Sequence, residues 1–242
     1  RVRKAFIARD SEHILLSADY SQIELRLAAE ISGDENMLEA FRQGLDIHQA
    51  TAARVYNVAL ADVTKEMRSK AKMVNFGIIY AISAFGLSQR LGIPRKEAAE
   101  LIENYFIQYP KLRNYMSETL EFARHNGYVK TLMGRRRYLK DINSRNFTVR
   151  GFAEREAINS PLQGSAADLV KLAMIQIHEE FKRQNLKTKM TLQVHDELVF
   201  DAHQDEVDLI KPIIREKMIH AIKTQVPLEV EIGIGSNWLD AH

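Results

Sequence analysis

The patterned part of the chain opens with a short apolar run at residues 13–18, of a length that suits a buried strand rather than a helix. Ser21-Gln22-Ile23-Glu24 then has the form of a capping box, which predicts a helix running to about Ile31 and closed by Gly33-Asp34. From 34 to about 154 the reading is mostly helical. Within it Pro94 marks one helix start, Pro110 opens the next helix and Gly127 ends that one, the form of an αα-hairpin. Residues 128–138 predict two short strand-like pieces around Met133-Gly134. Long helices are predicted at roughly 164–184 and 204–223, the second kinked or broken near Lys211 by Pro212. Between them, residues 189–194 and 198–201 predict two strands joined at His195-Asp196-Glu197, and residues 228–232 predict a last strand. The pattern therefore predicts an α+β chain in which a sheet is built from both ends of the sequence around a helical insertion.

Composition sets bounds on this picture. A length of 242 residues suits one large domain or two modest ones. Hydrophobic residues at 45% and charged residues at 27% describe an ordinary soluble protein. With no cysteine, disulfides and thiolate metal sites are excluded, which fits a reducing cytoplasm without requiring one. No apolar run approaches the ~20 residues of a membrane span, and the sequence predicts no signal peptide. The chain starts at Arg1 rather than Met, as a fragment would.

The net charge of +2 hides an asymmetry. Between Lys130 and Arg155 stand eight basic residues against two acidic ones; between Asp196 and Glu231 stand nine acids against four bases. A charge run is commonly solvated surface, but a basic stretch beside carboxylate-rich segments also suits a polyanionic substrate and a metal site.

Three constellations carry candidate chemistry. Asp19 stands at the carboxyl end of the apolar strand, where a rigid backbone can hold a carboxylate against a ligand; an Asp before a helix also serves as a cap. Asp196 stands in the predicted hairpin turn. A turn explains a polar residue, but not three ionisable residues without Gly, Asn or Pro. Two strand-end carboxylates in one sheet make a plausible pair for two Mg²⁺ ions. The third constellation is Arg68, Lys72, Phe76 and Tyr80 at intervals of four, which share one helix face spread over about 120° and about 18 Å long. Cations followed by aromatics could track a nucleotide's triphosphate and then its base; the alternative is an amphipathic helix with a snorkelling Lys and core aromatics. Gly77 argues mildly against a purely structural helix, since an interior Gly costs about 1 kcal/mol relative to Ala.

Together these residues resemble the family A DNA polymerases. Asp19-Tyr20-Ser21-Gln22-Ile23-Glu24-Leu25-Arg26 resembles motif A. Arg68-x3-Lys72-x2-Asn75-Phe76-Gly77-x2-Tyr80 resembles motif B, the fingers helix, and Gln193-Val194-His195-Asp196-Glu197 resembles motif C. Gly134-Arg135-Arg136-Arg137 and Asn159-x3-Gln163-Gly164 match as well, and the resemblance covers essentially the whole chain.

The resemblance implies a small, mostly antiparallel palm sheet with packed helices, drawn from 1–33 and 155–242, and a helical fingers insertion at 34–154. It implies a template-directed DNA polymerase, a cytoplasmic monomer acting on primer–template DNA and dNTPs with no membrane partner. Asp19, Asp196 and the Tyr20 backbone carbonyl would hold two Mg²⁺ ions, with Glu197 in support. Arg68 and Lys72 would bind the triphosphate, Lys72 also protonating the departing pyrophosphate. Phe76 would stack on the incoming base and Tyr80 would stand at the template base. Gln22 and Glu24 would line the nucleotide site, Glu24 excluding a 2′-hydroxyl. Arg155, Asn159, Gln163 and His195 would contact template and primer. Ala81 departs from the usual Gly after the motif B tyrosine and predicts a stiffer helix end. The thumb, a first palm strand and an exonuclease-like domain of the family lie outside this sequence. Single-subunit phage RNA polymerases share the two-Asp palm, and Glu24 separates them; a decayed, non-catalytic module would have lost Asp19, Asp196 or Lys72.

Overall fold

The structure, a computed structural model, describes residues 2–242. It divides into two compact units, one formed by the segment ending at Ile23 together with Ala166–His242, the other by Glu24–Ser165.

Strand β1 (His13–Tyr20) is followed by helix α1 (Ile23–Ser32). The second unit continues with α2 (Glu35–Arg42), α3 (Ile47–Tyr56), α4 (Lys65–Ile79), α5 (Ala84–Leu91), α6 (Arg95–Gln108) and α7 (Pro110–Asn126). A small hairpin, β2 (Tyr128–Lys130) with β3 (Arg136–Tyr138), then leads into the 37-residue helix α8 (Phe147–Arg183), inside which the unit boundary falls. The chain finishes with β4 (Lys189–Val194), β5 (Glu197–His203), α9 (Val207–Ile219), β6 (Val230–Gly235) and the short α10 (Trp238–Ala241).

The four-stranded sheet has the order β4-β5-β1-β6, antiparallel throughout. Side chains alternate between its faces. Leu15 and Val199 pack with Trp238 and Ala241 on one face. Leu16 pairs with Phe200 on the other, where Phe200 meets the Phe181 ring at 5.9 Å. With both faces covered, β1 is buried from Leu15 to Ala18, which is why it reads as an unbroken apolar run. On α8, Leu169, Ala173, Ile177 and Phe181 fall at steps of four and are all buried. Glycine is required where α10 crosses β6: a Cβ on Gly233 would overlap the Ala241 carbonyl, and one on Gly235 would lie 2.5 Å from the Ala241 nitrogen.

In the second unit, Asp34, Asp46, Thr64 and Ser83 cap α2 to α5 through their side-chain oxygens. Asp34 Oδ2 also accepts from the Lys111 backbone N–H, fixing the start of α7. Ala123, Val129, Leu139, Ile142, Ala153 and Ala157 form a core under the β2–β3 hairpin.

Several expectations are corrected. Ser21 does not begin a capping box: its backbone N–H, the donor such a box gives to Glu24, bonds instead to Glu229 O at 2.9 Å, and Gln22 takes φ 55 ahead of Ile23. The first long helix starts at Phe147, not near 164, because Asn146 Oδ1 caps it by accepting from Thr148 and Val149. Gly164 is not the helix start but an interior contact: a Cβ there would lie 2.5 Å from Thr131 Cγ2. Pro212 does not break α9. It sits early in the helix, and Ile210, Ile214 and Met218 are buried on one face around it. The last strand begins at Val230, two residues later than its apolar pattern predicts.

Ala81 is not a helical residue either. Helix α4 closes with Ile82 N–H on Gly77 O (2.9 Å) and Ala81 N–H on Ile78 O (2.8 Å), a Schellman motif that puts Ala81 at φ 52. Ile82 caps this turn over Gly77, where an added Cβ would lie 2.8 Å from Ile82 Cγ2, so Gly77 is a packing requirement. The helix end is strained by Ala81 rather than stiffened by its helix propensity. Ala81→Gly is therefore expected to stabilise the chain by about 0.5–1 kcal/mol, the αL penalty less the entropy of glycine. Denaturant unfolding measures it; a destabilised variant would show that the turn is not strained.

Candidate active site

Near their ends the two β1 ladders set three acids side by side. Asp19 pairs with Glu197 on β5 and with Glu231 on β6. Asp196 lies in the two-residue turn between β4 and β5, its carbonyl accepting from Tyr20 N–H at 3.5 Å. The other turn residue, exposed His195, takes φ 55. Tyr20 anchors the strand end by donating its buried hydroxyl to Met218 O at 2.7 Å. Burial pushes the Asp19 carboxyl pKa up to about 6, with Asp196, Glu197 and Glu231 adding to the rise and His242 opposing it. Asp196 is also raised, chiefly by burial. Asp19 Oδ1 is buried without a hydrogen-bond partner. Glu197 differs: Ser17 Oγ and Trp238 Nε1 both donate to its Oε1 at 2.6 Å, and His242 Nδ1 stands 3.3 Å away.

This arrangement costs stability while no cation is present. The folded-state pKa of Asp19 lies above its usual 3.8, so the native state holds the proton more tightly than the unfolded chain. The cost of the charged form is thus full above pH about 6 and absent below 3.8. Asp19→Asn is expected to stabilise the metal-free chain at pH 8 by about 1 kcal/mol, allowing for solvent screening, and to do nothing at pH 3.5. Equal effects at both pH values in thermal unfolding would exclude the charge as the cause.

Helix α4 brings its expected residues onto one face, with Tyr80 as the C-cap rather than a full helical member. Arg68 and Lys72 are exposed, and Phe76 and Tyr80 half-buried. Arg68 is held by Asp46, whose Oδ2 accepts from Nε at 2.9 Å and Nη2 at 2.6 Å. Lys72 has no such partner among the described residues. Tyr80 donates its hydroxyl to Glu24 Oε2 at 2.5 Å, joining the end of α4 to the first turn of α1. One neighbour escaped the sequence reading: His48, buried in α3, lies with its ring 5.7 Å from Phe76. Burial pushes its pKa down to about 4; Asp46 opposes this, while Arg68 and Lys72 add to it. A histidine two positions after a capping Asp, among apolar helix residues, was the available signal.

Arg155, Asn159 and Gln163 fall at steps of four on α8. The Arg155 guanidinium stacks over Phe152 at 4.5 Å, and Asn159 Oδ1 is buried without a partner. Asn159 and Gln163 share a cavity of about 540 Å³ with Arg135, Arg136 and Arg137 of the β2–β3 hairpin, and Arg135 donates to Gly164 O at 3.0 Å. Among the described residues no helix is long and apolar enough to cross a membrane, and no three His, Asp or Glu form a metal-binding group.

The profile of DNA polymerase family A matches residues 1–240. DNA polymerase I of Caldicellulosiruptor bescii is 53% identical over 239 residues, 99% of this chain and 28% of that protein. DNA polymerase I of Bacillus subtilis is 48% identical over 241 residues, 100% of this chain and 27% of that protein. The POL domain of Pol1 from M. smegmatis, in complex with DNA primer-template and dNTP, matches with a TM-score of 0.95 at 42% identity, over 99% of this chain and 42% of that one. The chain thus spans little more than a quarter of the length of these curated relatives.

Proposed function

The chain belongs to DNA polymerase family A, and on that footing we propose that it carries the nucleotidyl-transfer chemistry of a template-directed DNA polymerase. The observation that carries this reading is the Asp19–Asp196 pair. One buried carboxylate oxygen of Asp19 lacks any partner, and burial with like charge raises its pKa. Both features are what a cation would relieve. The donors are all oxygen, two carboxylates with the Tyr20 backbone carbonyl, and a pair of carboxylates suits Mg²⁺, which completes its shell with water and phosphate oxygens. Two Mg²⁺ ions held by Asp19, Asp196 and the Tyr20 carbonyl would make the primer 3′-oxygen a better nucleophile and would neutralise charge on the leaving pyrophosphate.

The remaining steps belong to the chain's own side chains. The 3′-hydroxyl gives up its proton to water and its oxygen bonds to the α-phosphorus of the dNTP as the bond to the bridging oxygen of the β-phosphate breaks. Lys72 binds the triphosphate and gives a proton to the departing pyrophosphate, with Arg68 sharing its charge between phosphate and Asp46. Phe76 stacks on the incoming base and Tyr80 stands at the template base. Gln22 and Glu24 line the sugar, and Glu197, held by Ser17 and Trp238, supports the metal-binding carboxylates. Arg155, Asn159, Gln163 and His195 contact template and primer, Arg and Gln suiting the minor-groove acceptors that every correct pair presents. Residues 34–154 serve as fingers and the flanking segments as palm, in a cytoplasmic monomer. Primer extension by the full-length protein, with Mg²⁺ and after chelation, tests the assignment. An extension rate indifferent to chelation, or no templated extension, would sink it.

Glu24 supplies a sharper check on the nucleotide. Its carboxylate is fixed by the Tyr80 hydroxyl, so it stands as a rigid wall. Glu24→Ala is expected to raise the ribonucleotide-to-deoxynucleotide ratio of kcat/KM at least about tenfold, while loss of the half-buried hydrogen bond costs about 1 kcal/mol of stability. An unchanged ratio with lowered stability would leave Glu24 a purely structural partner.

A further inference from the structure

Glu197, Asp19 and Glu231 stand abreast near the end of β1, yet their surroundings differ. Glu197 is buried and committed: it accepts from Ser17 and Trp238, and Arg3 Nη2 stands 3.8 Å from its Oε2. Glu231 is exposed on β6, an edge strand of the sheet, and makes no hydrogen bond or ion pair among the described residues.

Directly opposed residues of an antiparallel pair carry their side chains on one face, with Cβ atoms about 4.5–5.5 Å apart. Glu231 therefore projects on the same face of the sheet as Asp19. The two line one cavity of about 440 Å³ together with Ser17, Asp240 and His242. The other charged groups there already have partners. Asp240 accepts from Asn237 Nδ2 at 2.6 Å and from Ser236 Oγ at 3.3 Å, and His242 Nδ1 stands 3.3 Å from Glu197 Oε1.

A charge on an edge strand commonly guards against pairing with another sheet, and that is the structural alternative. It does not account for the sign. A lysine would guard the edge equally and would pair with Asp19, whereas like charges in directly opposed positions destabilise a sheet. The chain carries the costlier choice at the place where a cation bound by Asp19 would offset the cost.

We propose that Glu231 is a positioning residue of the metal site, acting through Asp19: its uncommitted carboxylate raises the affinity of the Asp19–Asp196 pair for divalent cations and makes the metal-free chain less stable in doing so. This rests on the reading of the two aspartates as metal ligands. Glu231 acts on Asp19 in the same sense as burial, Asp196 and Glu197, and less strongly than any of them, so its effect is a graded one.

Direct Mn²⁺ binding to this chain, read from the electron paramagnetic resonance signal of the free ion, tests the first half. One exposed charge within a Debye length of a divalent ion changes its affinity about fivefold, so Glu231→Gln should weaken Mn²⁺ binding by about that factor at low salt. The difference should shrink below about twofold in 1 M KCl. Glu231→Asp keeps the charge and should bind within about twofold of the unsubstituted chain at low salt. Thermal unfolding in EDTA at pH 8 tests the second half, where the sign reverses: Glu231→Gln should melt about 1–2 °C higher than the unsubstituted chain. A residue that only shaped the edge strand would give a lower melting temperature in EDTA and no salt-dependent change in Mn²⁺ affinity, and that pattern overturns the proposal. If Glu231→Gln binds Mn²⁺ as the unsubstituted chain does while Asp196→Ala loses binding, the role of Glu231 is wrong and the metal pair stands. If Asp196→Ala and the unsubstituted chain take up Mn²⁺ alike, or not at all, the metal pair is misassigned and the proposal falls with it.

Discussion

Alanine at Asp196 in the full-length protein is expected to lower the rate of nucleotide addition about a thousandfold or more while primer–template affinity changes little. Asp196 sits on a turn whose geometry is pinned by its own backbone, through the Tyr20 N–H and the Val194–Glu197 pairing, so removing the carboxylate should not move the strands. Duplex affinity sums many phosphate contacts, none of which this side chain makes. Asp19→Ala should cost a similar factor, and the double variant little more than either, because one ion site fails as a unit. Single-turnover primer extension and duplex titration separate the two effects. Retention of a tenth of the rate by either single variant would remove these carboxylates from the metal site.

The second large effect belongs to Lys72. It and Arg68 share a helix face, yet their surroundings differ. Arg68 is clamped by Asp46, whereas Lys72 is exposed and carries no ion pair among the described residues. The free ammonium can follow charge as it grows on the leaving phosphates, while Arg68 offers charge already shared. Lys72→Ala should therefore lower kcat by about 10²–10³ with a smaller loss of nucleotide affinity, and Arg68→Ala should act mainly on KM. Equal losses in kcat for the two, or a Lys72 effect confined to KM, would contradict the assignment of roles.

What the sequence made legible was whatever depends on local pattern. The apolar run of β1 announced a strand with Asp19 near its end, and ionisable residues in a tight turn marked Asp196. The four-residue spacing of Arg68, Lys72, Phe76 and Tyr80 announced a shared face. What failed was decided by partners far along the chain. Ser21-Gln22-Ile23-Glu24 has every residue of a capping box, but Ser21 N–H is taken by Glu229 and the Glu24 carboxylate by Tyr80, 56 positions away. Glu197 faces Trp238 from a distance of 41 residues. His48 belongs to a network whose members come from α3, α4 and the start of α7, so no short window contains it. Gly77, Gly164 and Ala81 show the same limit. Their meaning lies in what packs on them or in the backbone angle they hold, and neither follows from residue type alone.

Trp238 is the chain's single tryptophan. Its indole N–H ends on Glu197, whose cross-strand neighbour is Asp19, and its ring meets Phe6 nearly at right angles at 5.4 Å and the Arg3 guanidinium at 4.8 Å. The molecule thus contains a built-in fluorophore wired to its row of acids. Indole emission responds to the charge and solvation of the group that its N–H touches. Changes of ionisation or occupancy along that row can therefore be followed by intrinsic fluorescence, without a label and on the stopped-flow timescale.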